Sequence, residues 1–396
     1  EPLPDLDFNL KSGNLVTGFL RPNDNTQIDG DLFAESELLA LEPEINSLVS
    51  EMAKFASASE ADSGVQKSQL VHNTKIVSEK ASRILWRASW AADQSFEDWM
   101  NNFKPMHWFI EFPQIIARGG FDVVVGNPPY IGKRSYDRYL AHSIRNFRLG
   151  KSPDFFGVCY ERSLSLLAEN GRHSFVVMLS LAFSDGFGEL RRILTENEFS
   201  EWWGTFGHRP EGLFTGPGVK NTILTIGPKG NGQHTTQHNV FDSNSRQWLF
   251  QCLEFSKTER HAAQPIMRGG VIQELIEEIS RSTSIMGSPS GSRLGIPPTS
   301  LYWMPVLPGI PPILNPDLTI FEKKSSRTLT LELYKGEDKS VALAVLAGKI
   351  GFAWWSATAD NFDVAKKDTL QPRAFVPDNR AQHRHHYRVM ICGEPK

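Results

Sequence analysis

The chain is poor in several things at once. Its 396 residues hold three cysteines, Cys159, Cys252 and Cys392, far apart and odd in number. They form neither a disulfide framework nor a zinc-ligand spacing, and they fit a reducing cytoplasm. No apolar run approaches the roughly 20 residues that span a bilayer, and no signal peptide opens the chain, so no membrane partner is expected. An excess of one charge is missing too: 42 Lys and Arg face 45 Asp and Glu, a net charge of −3. A protein that coats nucleic acid over its whole surface would be strongly basic, so only a local basic patch is left for that role. Internal repeats and a nuclease-type carboxylate–lysine cluster are absent. His383, His385 and His386 match no standard ligand spacing, so no metal is expected.

What is there is ordinary for a globular protein of two domains with real cores: 40% hydrophobic and 22% charged residues. The chain begins at Glu1 on what reads as a domain interior, which suggests a fragment. The residues from about 371 onward have the odd composition of a ragged end.

Along the chain, Phe8-Asn9-Leu10 reads as a short strand before the turn Ser12-Gly13-Asn14. Leu41, Ile45, Leu48, Val49, Met52 and Phe55 fall at helical spacing, with Pro43 near the helix start. Residues 57–66 read as a loop. A second helix is expected over about Asn73–Trp90, with Ile76, Ala81, Ile84, Leu85 and Ala88 on one side; packing is the plain role of both helices. Phe121–Gly126 is short, β-branched and apolar on consecutive positions, the look of a strand buried in a parallel sheet. A helix is expected near Phe155–Glu169, ending at Asn170-Gly171, and another over Gly188–Glu196. Further strands are expected at Ser174–Leu179, Trp202–Phe206 and Thr222–Ile226. Strands alternating with helices predict a doubly wound α/β sheet. The breaker cluster Pro228-Lys229-Gly230-Asn231-Gly232 suggests a domain boundary. Beyond it come a helix near Val271–Ser280, a loop over 282–300, and strand-like and helical pieces over 301–370, notably Val341–Trp355.

The strand Phe121–Gly126 runs straight into Asn127-Pro128-Pro129-Tyr130. In an open α/β sheet, chemistry sits beyond the carboxyl ends of the strands. Two consecutive prolines fix φ and remove two backbone donors, and residues before proline are pushed to extended geometry. The product is a rigid turn offering two bare acceptors, the Asn127 side-chain oxygen and the Pro128 carbonyl, beside the flat ring of Tyr130. Those groups suit an NH2 on a planar ring: the amine donates twice, its lone pair is aimed at an electrophile, and the ring stacks on the tyrosine. A base within a duplex must be flipped out to reach such a pocket. No strong general base is needed, because the amine can attack a sulfonium methyl first and lose its proton afterwards. The plain alternative is a structural Pro-Pro turn.

These residues resemble the amino-methyltransferases that use S-adenosylmethionine. The wider context, His107–Pro113 and then Gly119–Gly132, looks like the adenine-specific methylases of type IIG restriction–modification and phage-exclusion systems. The likeness continues through Asp154-Phe155-Phe156, Glu169-Asn170-Gly171-Arg172 and Gly212-Leu213-Phe214. It is weaker past about residue 230, where Leu331-Glu332-Leu333-Tyr334, Trp354-Trp355 and Asn361-Phe362-Asp363-Val364 look similar to the target-recognition region. The resemblance implies a Rossmann-like methyltransferase sheet, incomplete here, in residues 1–228. It further implies a helical and loop linker over 229–300 and an α+β target-recognition region over 301–396. It implies that Asn127 and Pro128 accept from adenine N6 within the Asn127-Pro128-Pro129-Tyr130 motif. Tyr130 and Phe214 would stack on the flipped base, and Gly13 and Asn14 would contact the adenine ring of S-adenosylmethionine. Family members usually carry Asp where this chain has Asn14; Asn can still donate and accept there, and an ordinary Gly-Asn turn is the other reading. Double-stranded DNA is the implied partner, with restriction or phage-defence subunits beside it.

One departure stands out. The family's glycine-rich cofactor loop should precede Gly13. Gly186-Phe187-Gly188 and Gly230-Asn231-Gly232 are near matches in the wrong context. The expectation is that the loop lies upstream of Glu1 and that this chain alone binds the cofactor poorly. Between Ile131 and Pro153, Lys133, Arg134, Arg138, Arg145, Arg148 and Lys151 face one acid, Asp137, with Tyr136, Tyr139 and Phe147 interleaved. Such a loop could grip phosphates near a flipped nucleotide, or simply be a solvated face. Lys323, Lys324, Arg327, Lys366 and Lys367 are similar candidates in the second region. Two alternatives stay open: a methyltransferase acting on a glutamine side chain of release factors or on an RNA base, and a catalytically incomplete DNA-binding fragment. The long segment 30–105 and the region after 230 favour DNA.

Overall fold

The computed structural model describes residues 8–24, 26–28, 31–56, 63–89, 93–216, 218–230, 232–258, 267, 269, 273–281, 292–297, 305–310, 312–321, 328–333 and 339–359. The chain divides into two compact units, Glu1–Gly269 and Gly270–Lys396.

The first unit opens with helices: α1 (Leu32–Leu39), α2 (Glu42–Ala56), α3 (Ser63–Ala88), α4 (Phe96–Phe103), α5 (Trp108–Glu111) and α6 (Pro113–Ala117). Asp31 caps α1 by accepting from the Phe33 and Ala34 amides, and Ser95 caps α4 by accepting from Asp98, each satisfying amides that the first turn leaves without partners. Leu38, Leu48, Leu70, Ala81, Leu85, Trp99 and Ile110 meet in one core between these helices. The expected strand at Phe8–Leu10 is turn and coil. The helix expected from Asn73 starts ten residues earlier, so residues 63–66 are helical rather than loop. Ile76 is 41% exposed: it lies next to the core stripe that Thr74, Val77, Ala81 and Leu85 define, and apolar spacing alone did not separate the two.

Strands β1 (Phe121–Gly126), β2 (Leu167–Met178), β3 (Phe199–Phe206), β4 (Asn221–Lys229), β5 (Gln233–Asn239) and β6 (Ser256–Thr258) form one mixed sheet in the order β1-β2-β4-β3-β5-β6. β1–β2 and β3–β5 are parallel; β2–β4, β3–β4 and β5–β6 are antiparallel. Helices α7 (Arg138–Ser143), α8 (Phe156–Ser165), α9 (Ser180–Phe183) and α10 (Gly188–Glu196) complete the unit. Phe156, Val158, Tyr160, Leu181, Leu190 and Leu194 pack on Phe175, Val177, Trp203, Leu224 and Ile226 of the sheet. Each large side chain so buried contributes about 1.5–3 kcal/mol.

Three expectations need correction. β1 is parallel, as expected, but it is the edge strand of the described sheet, with Val123 and Val125 58% and 71% exposed. Glu169-Asn170-Gly171 does not end a helix. It lies in the early part of β2, because α8 stops at Ser165 and the chain turns straight into the strand. The sheet also runs on past Pro228–Gly232, where Gly230 and Gly232 take φ of +117° and +77°; the first unit therefore ends at Gly269.

The second unit contains α11 (Gln273–Arg281), β7 (Arg293–Ile296), β8 (Ile313–Leu314), β9 (Ile320–Phe321), β10 (Leu329–Glu332), α12 (Lys339–Ala347) and α13 (Lys349–Thr358). β7, within the expected loop 282–300, pairs antiparallel with β10. Leu294, Ile296, Leu331, Leu346 and Trp355 form its core. No single described helix is long and apolar enough to cross a membrane. Lys323, Lys324, Arg327, Lys366, Lys367, Asn361–Val364, Tyr334, Cys392 and the histidines 383–386 lie outside the described residues.

Candidate active site

The parallel pairing of β1 with β2 runs to Gly126 opposite Phe175. Asn127-Pro128-Pro129-Tyr130 therefore leaves the sheet at the carboxyl end of both strands. Asn127 and Pro129 are exposed, Pro128 is buried, and Tyr130 is half-buried. The Tyr130 ring meets the edge of Phe156, centroids 6.1 Å apart at 76°, an arrangement that aromatic quadrupoles favour. Its hydroxyl lies 3.2 Å from Asn127 Oδ1 and 3.1 Å from the Val176 carbonyl. Burial pushes that hydroxyl up to about 12, Asn221 pulls it down and Asp154 raises it, so Tyr130 keeps its proton at neutral pH.

The chain beyond the motif is zipped to residues 153–155. Ile131 N–H donates to Asp154 Oδ1 (3.1 Å), Phe155 N–H to the Ile131 carbonyl (2.9 Å) and Lys133 N–H to the Pro153 carbonyl (2.9 Å). Asp154 also accepts from Phe156 N–H at 3.2 Å. Burial raises the Asp154 carboxyl more than these amide donors lower it. Asp154 thus sets the exit of the motif; the sequence offered it only through the family resemblance.

Gly13 and Asn14 come to the same place from the other end of the chain. With Leu15, Phe103, Pro129, Phe155 and Cys159 they line a cavity of about 420 Å³. Asn14 N–H donates to the Lys104 carbonyl at 2.8 Å, and Asn14 Oδ1 accepts from Val16 N–H (2.9 Å) and Thr17 N–H (3.3 Å). The turn reading of Asn14 is thus observed: its oxygen closes a local turn, and its Nδ2 takes no part in that turn. Two phenylalanines and a proline around one amide donor fit a flat heterocycle. Burial, reinforced by Asp154, pushes the Cys159 thiol up to about 12, so it lines the cavity as an apolar group.

Phe214 is 39% exposed on the connection from β3 to β4. Arg246 holds that connection through the Gly212 carbonyl (2.6 Å) and the Leu213 carbonyl. Its far end reaches the motif, since Asn221 Nδ2 donates to the Tyr130 hydroxyl at 3.1 Å. The connection thus emerges beside Tyr130, although among the described residues the rings of Phe214 and Tyr130 are not in contact. Asn221 carried no signal beyond being a polar residue at the mouth of an apolar strand.

The cationic loop separates into two groups. Arg148 bridges Glu189 and Glu196 at 2.8 and 2.9 Å, Arg138 pairs with Asp93 and Tyr139, and Arg145 meets His142 Nδ1 at 2.7 Å. Lys133, Arg134 and Lys151 are exposed and have no ion-pair partner among the described residues. The interleaved aromatics are not a stacking surface: Phe147 is buried and Tyr136 packs against the same core, while Tyr139 turns its hydroxyl to Asp93 at 2.7 Å.

Residues 41–209 match the family described as Eco57I restriction-modification methylase. The chain is similar to the adenine-specific methyltransferase BrxX of Escherichia coli O9:H4 (strain HS), 27% identical over 199 residues, 50% of this chain and 16% of that protein. It is also similar to a putative type II restriction enzyme and methyltransferase of Methanocaldococcus jannaschii, RM.MjaORFECS2P, 30% identical over 126 residues, 32% of this chain and 10% of that protein. The chain thus spans a small part of the curated relatives it matches. Among solved structures, a nuclease-deletion mutant of the type ISP restriction-modification enzyme LlaGI in complex with a DNA substrate mimic aligns with 74% of this chain and 32% of its own. The identity there is 13% and the TM-score 0.32.

Proposed function

We propose that this chain carries the target-base side of a DNA methyltransferase that transfers a methyl group from S-adenosylmethionine to adenine N6, within a restriction–modification or phage-defence system. One observation carries the reading: a turn with two acceptors and an aromatic ring stands at the carboxyl end of β1, and its Pro129 also lines the Gly13–Asn14 cavity. A planar amine and a second flat heterocycle would meet across that proline.

In this reading, Asn127 Oδ1 and the Pro128 carbonyl accept the two N–H bonds of the flipped adenine's amine. That fixes the amine and turns its lone pair out of conjugation with the ring. Tyr130 stacks on one face of the base, and Phe214 of the β3–β4 connection covers the other. The Asn14 Nδ2, Phe103, Pro129 and Phe155 hold the adenine end of the methyl donor, which supplies a sulfonium methyl when bound. Tyr130, protonated up to about pH 12, is no base; the proton the amine sheds after transfer goes to water. Lys133, Arg134 and Lys151 contact phosphates flanking the flipped nucleotide, and residues 301–396 read the target sequence.

The test measures methyl transfer from tritiated S-adenosylmethionine to duplex DNA by the full natural protein, wild type and Asn127→Ala. Removing an acceptor from the reacting amine should cost on the order of 10²–10³ in rate, with duplex affinity within about twofold, since phosphate contacts supply most of it. Near-normal methylation by Asn127→Ala would overturn the assignment. Transfer to a release-factor glutamine or to RNA, with none to duplex DNA, would move the chemistry to another substrate.

A further inference from the structure

Asn221 opens β4 and is 1% exposed. Its Nδ2 donates to the Tyr130 hydroxyl at 3.1 Å and reaches the Val177 carbonyl at 3.4 Å. A carbonyl only accepts, so the Val177 contact keeps the nitrogen of this amide, not its oxygen, turned toward the tyrosine. The Tyr130 hydroxyl is then an acceptor from Asn221, and its single proton has two destinations, the Val176 carbonyl at 3.1 Å and Asn127 Oδ1 at 3.2 Å. Val176 lies one residue past the last β1–β2 pair, Gly126 with Phe175.

We propose that Asn221 is a positioning residue for the base site: by donating to Tyr130 it pins the stacking ring to β2 and β4 and leaves the hydroxyl proton to alternate between Asn127 and Val176. With no base in place, the hydroxyl donates to Asn127 Oδ1 and satisfies it. When the adenine amine arrives, rotation about one C–O bond turns the proton to Val176, and Asn127 Oδ1 is released to accept from the amine. Removing the Asn221 donor leaves a half-buried hydroxyl oxygen short of a partner, and such a group is costly in a site closed to water. The ring then loses its tether, and the proton loses its fixed pair of choices. The inference rests on the methyltransferase reading above and adds a residue that touches neither base nor methyl donor. Burial holds the phenol protonated while the Asn221 bond pulls it down, the direction a donor to that oxygen produces.

The test is a double-mutant cycle in the full natural protein under single-turnover conditions, with Asn221→Ala, Asn221→Leu, Tyr130→Phe and the double variants. Asn221→Leu keeps about the shape of the side chain but has no group to donate and no charge to bury, so it separates positioning from folding. Each Asn221 variant should slow methyl transfer roughly tenfold, the worth of one such hydrogen bond. The KM for the methyl donor should stay within about twofold, and the melting temperature of Asn221→Leu should fall by no more than about 4 °C. In the Tyr130→Phe background the same substitutions should cost nothing further. Multiplying losses in the two backgrounds, or a wild-type rate for Asn221→Leu, would overturn the inference. Failure of the wild-type protein to methylate adenine would instead overturn the functional reading and this inference with it.

Discussion

Arg162, on α8, is 2% exposed, and its direct ion pair is with Asp24: Nη1 lies 2.9 Å from Asp24 Oδ2. Its Nη2 reaches the Val16 and Gly18 carbonyls and Thr26 Oγ1 at 3.3–3.4 Å, and the guanidinium stands over the Phe147 ring at 5.1 Å. Asp24 in turn accepts from the Leu20 and Thr26 amides and the Thr26 hydroxyl. Burial pushes the Asp24 carboxyl up, but Arg162 and these donors outweigh it and hold the group below its ordinary 3.8. Arg162→Met keeps the length and apolar stem of the side chain and removes the cation, stranding a buried carboxylate. Breaking such a pair from one side costs about 3–5 kcal/mol. In a unit of this size that is a fall in melting temperature of roughly 6–20 °C, at about 2–4 °C per kcal/mol. Asp24→Leu combined with Arg162→Met should recover most of the loss, because a buried pair replaced by apolar groups is often neutral or better. Urea melts followed by tryptophan fluorescence at pH 7 give the numbers. The gap between wild type and Arg162→Met should narrow on acidification, as a protonated Asp24 no longer needs a cation. The single variant should also weaken methyl-donor binding, since the Val16–Gly18 carbonyls it releases adjoin the turn that Asn14 closes. A cost under about 1 kcal/mol, or a double variant no better than the single, would refute the reasoning.

Acid should unfold the chain early. Burial lowers His107 and His173 to about 3 and His238 to about 4, from an ordinary 6.5. The unfolded chain therefore binds protons first. Stability from these neutral histidines is complete above about pH 6.5 and lost as pH falls toward 4, at up to ~1.4 kcal/mol per pH unit for each group; chemical denaturation at stepped pH measures it, and a flat profile between pH 6.5 and 4 contradicts it. The two groups of loop cations should also behave differently. Alanine at Lys133, Arg134 or Lys151 should each reduce the salt slope of duplex binding by about one, whereas Arg148→Ala, which breaks the bridges to Glu189 and Glu196, should lower the melting temperature and leave the slope alone. Salt titrations of duplex affinity in which Arg148→Ala changes the slope as much as Lys133→Ala would contradict the division.

The motif was legible because its chemistry is local. Asn127-Pro128-Pro129-Tyr130 fixes its own backbone through two prolines, and a β-branched run announces the strand that presents it. The helix Gly188–Glu196 was legible to the residue because its apolar positions leave one register, with Leu190, Ile193 and Leu194 buried. What failed to show was set by partners distant in sequence. Val123 and Val125 look the same in a central strand and an edge strand; only the sheet order decides their exposure. Arg148 reads like Lys133 until Glu189 and Glu196, 41 and 48 residues away, are brought to it. Asn221 is 91 residues from Tyr130, and nothing near it in sequence marks it as a partner of the Tyr130 hydroxyl. The same distance makes the site a product of the fold. Gly13–Asn14 arrives from the N-terminal segment, whose Val16 and Gly18 carbonyls are held by Arg162 of α8. Tyr130 arrives on the turn after β1, and Asn221 on a strand that enters the sheet antiparallel to β2. A local turn thus supplies the acceptors, while the aim of the Tyr130 ring, which the proposal stacks on the base, depends on long-range contacts. Substitutions at Asn127 should accordingly strike chemistry without stability, and substitutions at Arg162 should strike stability first and the methyl-donor cavity through it.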